Sequence, residues 1–103
     1  MSNEITDLHV PFGKWLKKYD IFYRRISPKN HYKDTSDGVP DFEVFIHTNP
    51  LFIEFKTPEK YKLTNHNLST NQIKWIDYLE SHDYKVLVTC ELSEAITFVM
   101  EYK

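Results

Sequence analysis

The chain has 103 residues, 41% of them hydrophobic and 16% aromatic, which supplies one modest core and predicts a single domain over residues 1–103. A net charge of −2 gives no overall basic signature for nucleic acid, and one cysteine, Cys90, excludes an internal disulfide. With no targeting pattern and no apolar run long enough for a bilayer, a cytoplasmic protein without a membrane span is expected.

Residues 3–19 place Ile5, Leu8, Phe12, Trp15, Leu16 and Tyr19 at steps of three and four, which predicts a helix. Asn3 is its expected cap and Glu4 falls in its first turn. Pro11 should split it into two short helices or kink it. Residues 20–27 read as a first strand, ended by Pro28. Residues 28–40 are polar and rich in turn formers, a loop leading to a turn at Gly38 and Pro40.

Residues 42–47 form the second strand and Thr48-Asn49-Pro50 a tight turn. Residues 51–57 form the third strand, and residues 58–68 read as loop. Ser69 caps a helix that ends near His82-Asp83. Residues 84–90, apolar on both faces, read as a central strand with Cys90 at its end. Ser93 caps a last helix whose apolar side is Ala95, Ile96, Val99 and Met100. The order α-β-β-β-α-β-α predicts an α/β fold, a mixed central sheet flanked by helices.

Four residues stand out chemically. Asp41 follows the Gly38-Val39-Pro40 turn, at the mouth of the second strand. Glu54 and Lys56 lie two apart on the third strand and share a face, while Ile53 and Phe55 point into the core. A hairpin would set Asp41 beside Glu54. Two carboxylates and an amine suffice to hold a divalent cation and manage a water beside a phosphate. Gln72 lies on the helix stripe that should face the sheet, where an unpartnered amide costs about 1–3 kcal/mol, so the site end of the third strand is its expected partner.

Each residue also has a plainer reading. Asp41 is then a turn acid, Glu54 and Lys56 the solvent face of an edge strand, and Gln72 a partner of a backbone carbonyl. Glu4 is then a first-turn acid favoured by the helix dipole. The histidines at 9, 31, 47, 66 and 82 lack metal-ligand spacing, so no zinc site is expected. With only Gly13 and Gly38, no nucleotide-cradling loop and no nucleotide cofactor are expected.

Gly38-Val39-Pro40-Asp41, then Glu54-Phe55-Lys56, then Leu68-Ser69-Thr70-Asn71-Gln72-Ile73-Lys74-Trp75 with Leu79, resemble in kind and order the GxPD, ExK and LSxxQxxWxxxL motifs of VRR-NUC domains, within the PD-(D/E)xK nuclease superfamily. The resemblance covers roughly residues 38–90. It implies a restriction-endonuclease-like core and endonucleolytic hydrolysis of DNA phosphodiester bonds with Mg²⁺ or Mn²⁺, on structured or branched DNA. Asp41, Glu54 and the backbone carbonyl of Phe55 would hold the ion, since hard cations prefer oxygen. Lys56 would orient the attacking water and offset transition-state charge. Gln72 would belong to the active site, and many relatives add an acid from the first helix, here Glu4 first and Asp7 second. Some small phage and bacterial relatives pair, so a homodimer is compatible.

The segment between Lys56 and Ser69 is longer than the family's usual link and lacks its glycine. Charge is split along the chain: residues 1–33 hold seven basic and three acidic residues, residues 77–103 two and six. Lys14, Lys18, Arg24, Arg25, Lys33, Lys60 and Lys62 are the candidates for contact with a DNA backbone. The competing readings are a nuclease-fold protein that binds DNA or a host factor without cutting, and a structural partner of a larger assembly.

Overall fold

Pro11 sets the form of the N-terminal helix. Proline has no N–H for the carbonyl four residues back, and its ring crowds that carbonyl. The computed structural model, which describes residues 2–26, 38–46 and 48–103, accommodates it with a π-helical turn, Ile5–His9, running into helix α1, Val10–Lys18. The Val10 N–H bonds to the Ile5 carbonyl, five residues back. The helix therefore neither breaks nor separates into two. Asn3 Oδ1 accepts from the Thr6 N–H at 3.0 Å, and Asp7 Oδ2 accepts from the Asn3 N–H at 2.9 Å, so Asn3 caps as expected.

Strands β1 (Phe22–Arg25), β2 (Phe42–Phe45), β3 (Leu51–Phe55) and β4 (Lys85–Thr89) form one sheet in the order β1-β2-β3-β4. The first two pairings are antiparallel and the third is parallel. The chain thus has an α/β fold with a mixed sheet and flanking helices. Helix α2 (Pro58–Tyr61) and a short turn at Thr64–Asn67 follow β3, then α3 (Thr70–Ser81), β4 and α4 (Leu92–Tyr102). Among the described residues no helix is long and apolar enough to cross a membrane.

Four expectations change. β4 is an edge strand, not a central one; it is apolar on both faces because α3 and α4 pack against it. Residues 58–68 are not plain loop: the Thr57 hydroxyl accepts from the Lys60 N–H and Pro58 opens α2. The last helix starts one residue before Ser93, with Glu91 at its cap position. Met100 is half exposed, while Ala95 and Val99 are fully buried.

The core lies between the sheet and the α1–α4 pair. Phe12, Leu16, Phe42, Val44, Ile53, Phe55, Ala95 and Val99 are all fully buried. Phe12, Phe42 and Phe55 meet edge to face, with centroids 5.1, 5.4 and 5.7 Å apart. Such pairs add about 0.5–1.5 kcal/mol each beyond area burial. The alternation of β3 sends Ile53 and Phe55 into this core and turns Glu54, with Lys56 just beyond the strand, toward Gln72 of α3.

Candidate active site

The antiparallel register pairs Phe42 with Ile53, so one step further Asp41 lies opposite Glu54. Asp41 Oδ2 accepts from the Phe55 N–H at 2.9 Å, which pins the carboxylate at the strand mouth. Gly38 makes the turn possible. Its φ is +93°, and a Cβ there would stand 2.6 Å from the Asn71 backbone carbon. Only glycine lets the turn lie this close to the first turn of α3.

The α3 side of the site is a closed hydrogen-bonded chain. Ser69 and Gln72 form a capping box: Ser69 Oγ accepts from the Gln72 N–H, and Gln72 Oε1 accepts from the Ser69 N–H at 2.8 Å. The same Oε1 accepts from Lys56 Nζ at 3.2 Å, and Gln72 Nε2 donates to Glu54 Oε2 at 3.2 Å. Lys56 Nζ also donates to the Asn67 carbonyl at 3.4 Å. That carbonyl comes from a stretch, Asn65–Asn67, with three consecutive left-handed residues, a conformation that costs roughly 1–2 kcal/mol per non-glycine residue.

Glu54 and Lys56 are only 3% and 9% exposed, and β3 is an interior strand. They are therefore not the solvent face of an edge strand. Gln72 bonds two side chains of β3, not a stray carbonyl. Burial, and then the charge of Asp41, pushes the Glu54 carboxyl up to about 10. Its Oε1 is buried without a hydrogen-bond partner among the described residues. An oxygen pair with an orphaned buried atom suits a hard cation.

The α1 side is different. His9 has no metal-ligand spacing in the sequence, yet the structure brings it to the site. It is 5% exposed and rests on the core aromatics, 5.4 Å from the Phe42 ring and 5.5 Å from that of Phe55. Its Nε2 lies 3.0 Å from Glu4 Oε2 and 3.4 Å from Asp41 Oδ2. Burial alone would lower its pKa, but the Asp41 and Glu4 carboxylates outweigh burial and raise it to about 8. Glu4, His9 and Asp41 each offer a ligand atom, all within 4.8 Å of one another. The available signal was Pro11. Residues five apart diverge by about 140° on an α-helix, but the π turn that proline induces brings Glu4 and His9 to one face.

Asp7 serves the helix cap, which leaves Glu4 as the first-helix acid at the site. Lys60 and Lys62 are exposed on and just beyond α2, and Arg25 pairs in register with Phe42, next to Asp41. Arg24 is engaged by Glu43 at 2.7 Å. Lys14 and Lys18 are exposed along α1, with Lys18 over the Tyr19 ring at the end away from His9. Lys33 lies outside the described residues.

Residues 16–90 match the family described as VRR-NUC domain. No curated protein and no solved structure matches. Asp41, Glu54, Lys56 and Gln72 fall inside the matched span, and Glu4 and His9 precede it.

Proposed function

The chain belongs to the VRR-NUC domain family, a nuclease family, and from that premise we propose that it is a Mg²⁺- or Mn²⁺-dependent deoxyribonuclease acting as an endonuclease on structured or branched DNA. The observation that carries this reading is the buried row Glu54–Gln72–Lys56 beside Asp41. Burying a carboxyl and an amine is expensive unless every partner is in place, and a purely structural strand has no use for both.

Asp41, Glu54 and the Phe55 carbonyl are the groups that would hold the ion. A bound divalent cation supplies a more acidic water and polarises the phosphoryl oxygen. The remaining work falls to the chain. Lys56, within reach of the same space, orients the water and balances charge that builds on the phosphate. Gln72 accepts from Lys56 and donates to Glu54, so it aims the ammonium and holds the two side chains apart. Its carboxamide cannot flip without losing the Ser69, Lys56 and Glu54 contacts together. Arg25, Lys60 and Lys62, exposed around this end of the sheet, are the nearest groups for the DNA backbone, with Arg24, Lys14 and Lys18 further out.

The test is cleavage of labelled single-stranded, duplex, flap and four-way-junction DNA with Mg²⁺, Mn²⁺ or EDTA. Metal-dependent cutting, strongest on branched DNA and lost in Lys56→Ala, is expected. Folded protein that binds metal and cuts none of these substrates overturns the reading in favour of a non-cleaving binding module.

A further inference from the structure

We propose that His9 is a metal ligand of this chain, and that its imidazole makes the site favour first-row transition ions such as Mn²⁺ over Mg²⁺. The inference rests on the metal-dependent reading above and goes beyond it by choosing between the two ions.

Three observations carry it. First, His9 is 5% exposed and neither ring nitrogen has a hydrogen-bond partner among the described residues. The nearby carboxylate oxygens are close enough for ion pairing, yet neither contact has hydrogen-bond geometry. A buried imidazole nitrogen that stands between two carboxylates without a hydrogen-bond partner is a ligand set.

Second, the spacing fits a shared ion. Donors about 2.1 Å from an octahedral ion and at right angles lie about 3.0 Å apart. His9 Nε2 is 3.0 Å from Glu4 Oε2 and 3.4 Å from Asp41 Oδ2. Asp41 joins this cluster to Glu54, since it lies across from Glu54 in the β2–β3 register.

Third, the ring is held in place by the fold. The π turn brings it to Glu4, and Phe42 and Phe55 form its floor. Because the ring cannot swing to solvent, the nitrogen is a fixed part of the site. Oxygen-only sets suit Mg²⁺ and Mn²⁺ alike, whereas an imidazole nitrogen is a softer donor that first-row transition ions, Mn²⁺ included, accept more readily than Mg²⁺.

The experiment uses the full chain stripped with EDTA and titrated with Mn²⁺. Pulsed electron paramagnetic resonance reads nitrogen coupling to the bound ion, with ¹⁴N- and ¹⁵N-histidine protein compared. Mn²⁺ affinity and its displacement by Mg²⁺ are measured alongside. Wild type should show imidazole coupling, and His9→Gln should lose it. Altering groups that merely support ligands changes metal affinity by about 10–100-fold, so His9→Gln should weaken Mn²⁺ by at least about tenfold and Mg²⁺ by less. His9→Asp, a second variant with an oxygen donor, should bind without nitrogen coupling and with a narrowed preference for Mn²⁺.

Bound Mn²⁺ without nitrogen coupling in wild type overturns the proposal, whether or not either variant folds, and leaves the nuclease reading intact. Coupling that survives in His9→Gln also overturns it, because another histidine is then the ligand. Wild type that binds no Mn²⁺ overturns both readings. Coupling that depends on His9 in a protein that cuts no DNA supports the ligand and removes the nuclease reading alone.

Discussion

The two sides of the site solve the problem of buried polarity in opposite ways. On the α3 side, Glu54, Gln72, Lys56, Ser69 and Asn67 form a hydrogen-bonded chain in which the lysine and the amide are matched. On the α1 side, Glu4, His9 and Asp41 crowd together without hydrogen bonds between the imidazole and either acid. A satisfied network is a rigid support, whereas a buried imidazole without hydrogen-bond partners between two acids is a place for something else to bind. Glu54 belongs to both: one oxygen is tied to Gln72 and the other is orphaned.

Glu54→Gln breaks the comparison most severely. It should lower cleavage by at least about 10²–10³-fold, the scale of losing one transition-state stabilising group. It should also raise the melting temperature of the metal-free protein at pH 8 while leaving it little changed near pH 4. The folded pKa of about 10 lies above the ordinary carboxyl value of 4.5. Stability from this group is thus fully present below pH 4.5 and is lost as pH rises through the folded value. A neutral isostere removes that loss. Calorimetry at the two pH values checks it.

The same linkage predicts how metal sharpens the contrast. His9 adds to the trend, since its pKa rises from 6.5 to about 8: its contribution is complete below pH 6.5 and is lost as pH passes 8. Metal-free protein should therefore weaken from pH 5 to pH 9. Mn²⁺ should recover more stability at pH 8 than at pH 5, with proton release on binding. Thermal unfolding with and without Mn²⁺ reads this directly; equal recovery at both values contradicts it.

Gln72→Ala should destabilise by about 1–3 kcal/mol in urea denaturation, because Lys56 and Glu54 lose a shared partner in a buried setting. Gly38→Ala, at positive φ and against the Asn71 backbone, should cost about 1–3 kcal/mol and also lower cleavage, since it displaces the turn carrying Asp41 from α3. Glu101→Ala, exposed near the end of α4 and outside the site, is the control. It should stay within about 0.5 kcal/mol of wild type and cleave normally.

The α3 side was legible in the sequence because its signals are local and periodic. Two-residue alternation puts Glu54 and Lys56 on one face, a Gly/Pro turn brings Asp41 across, and the helix phase from Ser69 delivers Gln72. The α1 side was hidden because one proline shifts the helical phase. Pro11 signals a kink or break, not a π turn, and on a regular α-helix His9 would face away from Glu4. β4 misled for another reason: an apolar strand under two helices looks in sequence like a strand between two others. The cap of α4 is also a matter of context, since Thr89 Oγ1 accepts from the Glu91 N–H at 3.0 Å and fixes the turn one residue early.

Anomalous diffraction from crystals of the full chain grown with Mn²⁺ locates the bound ion itself. A strong peak is expected in the space bounded by Asp41 and Glu54, bonded to both carboxylates, with Lys56 Nζ still on Gln72. Saturating Mn²⁺ with no ion there, or with ions only on surface acids, would contradict it.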